Sequence, residues 1–260
     1  MRRVRVLLSL IIAVLAGLLL AVPASAATAV RYVALGDSYS SGTGTGQYDP
    51  SSGSCNRSPL AYPALWNAAH RPDSFSFVAC SGATTQDVVL TQAAALSAAT
   101  TLVTVSVGGN DVGFGEVVTT CTVGSDQDCA NAVQKATAAA QNELPAKLDQ
   151  TYATIRSAAP SARVIVMGYP RLFATGICWL SANKRTTLNN AADILAGVIS
   201  GRAAAAHFSF VDGRPAFAGH GICAGSAWIN GVAWPVSDSY HPNRAGHANG
   251  YLPALDAVTG

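Results

Sequence analysis

Four short blocks of this 260-residue chain carry the side-chain types that acyl transfer needs. The first is Leu35-Gly36-Asp37-Ser38-Tyr39-Ser40-Ser41-Gly42, directly after the apolar run Val30–Leu35. A serine just past a buried strand stands at a sheet edge that substrate can reach. Gly36 permits a sharp turn, and a helix starting there would offer backbone N–H donors and the positive end of its dipole. Asp and Ser are also common helix N-caps, so this block alone reads equally well as a polar cap. It is not the G-x-S-x-G elbow, because Ser40 stands where the second glycine belongs.

The other three blocks supply what a serine nucleophile requires. Val107-Gly108-Gly109-Asn110-Asp111-Val112-Gly113 can be a tight turn and nothing more. It can also aim the Asn110 amide at a developing oxyanion, a contribution of about 3–4 kcal/mol to the transition state. In Cys80-Ser81-Gly82-Ala83-Thr84, Gly82 is a turn glycine before a helix or a close-approach backbone donor for the same oxyanion. Asp238-Ser239-Tyr240-His241-Pro242-Asn243 holds an imidazole, the side chain best suited to accept a serine proton near neutral pH. An Asp three residues earlier can fold back onto Nδ1–H and fix the tautomer, as the acid of a triad does. A metal site from Asp238, His241 and His247 is the weaker alternative, since no further ligand cluster accompanies them.

The elements that must position these blocks are legible as alternating apolar runs and Ala-rich stretches. Val30–Leu35, Phe75–Ala79, Leu102–Val107, Arg163–Gly168 and Phe208–Val211 read as buried strands. Thr84–Ala99, Cys129–Ala158 (broken near Pro145) and Ser181–Ala206 read as helices packed closely on a sheet. Such alternation predicts an α/β domain with a mostly parallel sheet. Gly42–Arg57 and Asp212–Asp238, rich in Gly, Pro or Ser, read as long loops. In open parallel sheets ligands bind beyond the carboxyl ends of the strands, where each block falls. Nucleophile, two oxyanion donors and an acid–His pair therefore meet at one sheet edge.

The chain's ends and composition set the compartment. Arg2, Arg3 and Arg5, the uncharged run Val6–Val22, and Pro23-Ala24-Ser25-Ala26 predict a secretory signal cleaved after Ala26 or Ala27, rather than a retained membrane anchor. Residues 27–260 then form a single catalytic domain, secreted and extracellular. Subtracting the three leader arginines from 16 basic residues leaves 13 against 14 acidic ones. A mature charge near −1 gives no basic patch for nucleic acid or an anionic membrane. Six cysteines, Cys55, Cys80, Cys121, Cys129, Cys178 and Cys223, all lie in the exported part. They predict three disulfides in an oxidising compartment, among fifteen possible pairings that the sequence does not choose between.

Gly36-Asp37-Ser38, Gly82, Gly108-Gly109-Asn110-Asp111 and Asp238-x-x-His241, in this order across the mature chain, resemble the four blocks of the GDSL, or SGNH, hydrolases. The cysteines and the wording around Asn110 look most like the family's secreted bacterial lipases and esterases. The resemblance implies a three-layer α/β/α sandwich, flavodoxin-like, with a five-stranded parallel sheet in the order 2-1-3-4-5. It implies sequential disulfides, 55–80, 121–129 and 178–223. Ser38 is then the nucleophile, His241 its base, and the Ser38 N–H, Gly82 N–H and Asn110 side chain the oxyanion hole. Some relatives hold the histidine by a backbone carbonyl two residues earlier, here that of Ser239, in place of an acid such as Asp238.

The expected protein is a monomeric serine hydrolase of lipid or small acyl esters that needs no metal or organic cofactor. Phospholipase A1 and polysaccharide deacetylase are alternatives on the same machinery. An inactive secreted binding module is the non-enzymatic one, against which the intact Ser38, Gly82, Asn110 and His241 speak.

Overall fold

A computed structural model describes residues Ala29–Gly260; the leader expected over residues 1–26 lies outside them. Five strands, β1 (Arg31–Gly36), β2 (Ser74–Phe77), β3 (Leu102–Ser106), β4 (Arg163–Met167) and β5 (Ser209–Val211), pair in parallel in the order β2-β1-β3-β4-β5. This is the three-layer architecture and strand order expected. β3 is buried along its whole length, and β1 and β4 along all but their first residue. A strand covered on both faces reads as a continuous apolar run rather than an alternating one.

One helical layer holds α3 (Thr85–Leu90), α5 (Asp126–Asn142), α6 (Leu144–Ala158) and α7 (Ala182–Ala205), which pack on one another. α5 and α6 part at Glu143, where Pro145 takes the first turn of α6; there a missing N–H does no harm. The second layer holds α2 (Tyr62–His70), a π-helical turn at Gly246–Tyr251 and α9 (Leu252–Thr259). α1 (Ser38–Ser41), α4 (Phe114–Val123) and α8 (Gly213–Ala216) follow β1, β3 and β5.

Three crosslinks stitch the loops: Cys55–Cys80, Cys121–Cys129 and Cys178–Cys223. The first ties the long loop after α1 to the turn holding Gly82. The third ties the β4–α7 loop to the loop after α8.

The chain runs from β1 out to β2 and returns to add β3 on the other side of β1. That reversal opens a crevice at the carboxyl ends of β1 and β3, where ligands of doubly wound sheets bind. Ser38 follows β1, Gly82 follows β2 and Asn110 follows β3.

Candidate active site

Gly36 makes the turn that presents Ser38. Its φ is +125°, and a Cβ there would meet the Ser106 carbonyl oxygen at 2.5 Å, so neither torsion nor space admits a side chain. The buried Gln92 amide grips the same residue, accepting from Gly36 N at 2.7 Å and donating to Gly36 O at 2.9 Å. Asp37 then caps α1, its carboxylate accepting from Tyr39 N at 3.0 Å. The carboxylate also accepts from Ser106 Oγ at 2.8 Å and from the Tyr169 hydroxyl. Burial pushes Asp37 up to about 6, with these hydrogen bonds opposing it. Tyr169 accepts in turn from Gly109 N at 3.1 Å, so one phenol joins the serine turn to the asparagine turn.

His241 Nε2 lies 2.7 Å from Ser38 Oγ, and Nδ1 lies 2.8 Å from the Ser239 carbonyl oxygen. A carbonyl only accepts, so Nδ1 carries the proton and Nε2 presents its lone pair to the serine hydroxyl. Tyr240, at φ +61°, lies between the Ser239 carbonyl and the ring, in the bend that lets that carbonyl reach Nδ1. The Tyr39 hydroxyl fastens that bend by donating to the Tyr240 carbonyl at 2.6 Å. On the other side Gly44 is required, because a Cβ there would come within 2.7 Å of His241 Cβ.

The expectation that Asp238 holds His241 Nδ1 is corrected. The Asp238 side chain, in the short turn Val236–Asp238, instead accepts the Tyr48 hydroxyl at 2.6 Å. The nearer backbone carbonyl occupies the imidazole. The metal alternative does not assemble either. His247 Nδ1 accepts from Tyr62 N at 3.2 Å, and no group of three or more His, Cys, Asp and Glu among the described residues is placed to hold an ion.

Burial pushes His241 down to about 4, the Ser239 carbonyl and the Asp238 charge opposing it. The imidazole is therefore neutral, and competent as a base, throughout the mildly acidic range. Activity should be lost only as the pH falls towards 4. Asp238→Asn removes a charge that favours imidazolium, so the acid limb of kcat/KM should move to still lower pH. Turnover should stay within about tenfold of wild type, against the roughly 10⁴ lost when a true triad acid is removed. A pH–rate profile of both proteins checks this; a drop near 10⁴ would restore Asp238 as the partner.

The second and third blocks are tied to each other. Asn110 Nδ2 donates to the Ala83 carbonyl at 2.9 Å. The Asp111 carboxylate accepts from Thr85 N at 2.9 Å and from Thr85 Oγ1 at 2.6 Å. Gly82 sits at φ +82° with open space where a Cβ would be. Among the described residues neither Gly82 N–H nor Ser38 N–H donates to a protein acceptor. Both are free donors in the part of the molecule that carries the Asn110 amide.

Beside Ser38 and Asn110 opens an apolar pocket. Val112, Phe114, Val117, Leu172, Leu188 and Leu195 are among the side chains that line it. Sequence reasoning missed this pocket, along with Tyr169, Gln92, Gly44, Tyr48 and Tyr39. They come from the stretch 39–48, from Gln92 and from just after β4, and nothing in their spacing signals that they meet.

A serine hydroxyl paired with a neutral histidine at the switch point of a parallel sheet defines a serine hydrolase. Residues 34–248 match the model of the GDSL-like lipase/acylhydrolase family, and the chain belongs to that family. It is 48% identical to lipase 1 of Streptomyces coelicolor over 249 residues, 95% of this chain and 93% of that one. It is 48% identical to a lipase of Streptomyces rimosus over 242 residues, 92% of this chain and 90% of that one. Among solved structures, phospholipase A1 from Streptomyces albidoflavus superposes with a TM-score of 0.86 at 50% identity, covering 88% of this chain and 99% of that one. The protein is a lipase/esterase, a hydrolase of carboxylic esters.

Proposed function

We propose that Ser38 and His241 act as a catalytic dyad, with the Ser239 carbonyl as the histidine's anchor. The observation carrying this reading is the pair of contacts at His241, Nε2 to Ser38 Oγ and Nδ1 to Ser239 O, beside an apolar pocket. Nε2 takes the serine proton as Oγ bonds to the ester carbonyl carbon. The oxyanion is held by Ser38 N–H, Gly82 N–H and the Asn110 amide. The imidazolium then protonates the departing alcohol, leaving an acyl-Ser38 ester. Water, deprotonated by the same Nε2, releases the acid and restores the serine. The apolar pocket takes the acyl chain, and the alcohol leaves on the solvent side.

Around this site the proposal is a single catalytic domain, residues 27–260, that works outside the cell as a monomer once residues 1–26 have been removed. The charge-free run Val6–Val22 with its Ala-Ser-Ala ending supports export. A relative from Streptomyces rimosus is described as an extracellular lipase.

A fluorophosphonate probe tests the core of the reading. Wild type should be labelled on the peptide containing Ser38, and labelling should disappear in Ser38→Ala. Labelling elsewhere, or none in a protein that hydrolyses esters, would overturn it.

A further inference from the structure

Large apolar side chains that stand in water are informative only when they gather. Ile177 is 99% exposed, Trp234 89%, Val236 64%, Val232 61% and Trp179 53%. They belong to two loops, one between β4 and α7, the other leading into His241. Several contacts make the loops one body. Cys178 is bonded to Cys223, Ile222 exchanges backbone hydrogen bonds with Leu172 and Ala174, and a Cβ on Gly231 would lie 3.9 Å from Trp179 Nε1.

The same body is fastened to the chemistry. Ala233 N donates to Ser239 Oγ at 2.9 Å, and the carbonyl of that serine anchors His241. At its other end the β4–α7 loop supplies Pro170 and Leu172 to the pocket beside Ser38. The loops that expose these five side chains are thus tied at their other ends to the pocket and to the histidine.

The stretches that bear the five side chains carry no formal charge of their own, although the Arg185 guanidinium donates to the Ala174 carbonyl and the Asp126 carboxylate accepts from Ser181 and Asn183. Residues 172–183 and 215–237 contain no Asp, Glu, Lys or Arg. Protein loops that contact only water rarely keep two tryptophans and three aliphatic side chains without a charge between them.

We propose that Ile177, Trp179, Val232, Trp234 and Val236 form a docking surface for an ester-lipid aggregate of no net charge. The proposal rests on the lipase/esterase reading and adds where the enzyme meets its insoluble substrate. Tryptophan rings settle at the boundary between head groups and acyl chains, and the aliphatic tips enter the hydrocarbon. A loop pair already crosslinked loses little freedom on binding. Polysaccharide is the poorer occupant, because aliphatic tips give sugar hydroxyls no hydrogen bonds. A second copy of the chain is also poorer, since it would sit against the loop that carries His241.

The test separates docking from catalysis. Ser38→Ala protein, which leaves lipid intact, should sediment with dioleoylphosphatidylcholine vesicles, and 1 M NaCl should not weaken this, because no charge pairing holds it. Adding Ile177→Ser and Trp234→Ser should lower the partition at least about tenfold. In the otherwise wild-type enzyme the same pair should leave hydrolysis of soluble p-nitrophenyl butyrate within about twofold, and slow hydrolysis of sub-saturating vesicles about tenfold. Val232→Ser with Val236→Ser, checked by circular dichroism, should act in the same direction.

Unchanged vesicle binding in both double variants would overturn the proposal. So would dissociation by salt, binding to xylan but not to vesicles, or light scattering showing a dimer that the variants dissolve. Equal losses on soluble and vesicular esters would do the same. A wild type that cleaves the soluble ester yet ignores vesicles defeats docking alone; failure on the soluble ester strikes the hydrolase reading instead.

Discussion

Replacing Ser38 by alanine should lower kcat by about 10⁵–10⁶, leaving only what the oxyanion donors and substrate binding supply. The serine oxygen would form the acyl bond, and among the described residues no other hydroxyl is paired with His241, whose Nε2 lies 2.7 Å away. His241→Ala should cause a loss of the same order, because an unassisted hydroxyl is a weak nucleophile at neutral pH. The double variant should be no slower than either single one, since the two groups act as a unit. Folding should survive, because the only hydrogen bond of Ser38 Oγ within the described structure is the one to His241. Hydrolysis rates and thermal melts of the three variants check this. Near-normal turnover by a folded Ser38→Ala protein would rule the mechanism out.

Asn110→Ala should reduce kcat by about 10²–10³ with a small change in KM, because the lost bond matures only as the carbonyl oxygen becomes charged. The amide nitrogen has two hydrogens. One is committed to the Ala83 carbonyl at 2.9 Å, which fixes the plane of the amide. The other remains for substrate. Asn110→Asp keeps the shape but offers no donor and brings a negative charge towards the oxyanion, so its loss should be at least as large. Steady-state kinetics on one soluble ester decides between roles. A raised KM with unchanged kcat would make Asn110 a substrate-positioning residue.

Most of the sheet was legible because its strands are covered on both faces and so are written as unbroken apolar runs. β2 was the least well placed. The run Phe75–Ala79 predicted a strand one to two residues further along than Ser74–Phe77. Phe75 and Phe77 are only partly buried in this edge strand, so the apolar signal has no sharp end there. Thr84–Ala99 was read as one helix, whereas α3 stops at Leu90 and a separate turn covers Gln92–Ala95. That break delivers Gln92 to the backbone of Gly36, a long-range contact that local propensity does not encode. α2 lies in a stretch the sequence left unassigned, its helical signal being only nine residues long.

The candidate site divides along the same physical line. Ser38, Gly82, Asn110 and His241 could be read from sequence, because each must be one residue type in a fixed place after a strand. Six cysteines announced three crosslinks, and the family resemblance, not the spacing, supplied their pairing. The partner of His241 Nδ1 was decided by tertiary structure. A three-residue spacing from Asp238 and a two-residue spacing from Ser239 are both compatible with a turn. The choice fell to the Tyr240 bend, fastened by Tyr39 from the other end of the chain, and to Tyr48, which engages the Asp238 carboxylate from 190 residues away. The apolar pocket and the exposed apolar side chains were likewise hidden. Their walls come from loops and helices that are neighbours only after the sheet has formed, and an apolar residue in sequence does not say whether it will face the core, a substrate or water.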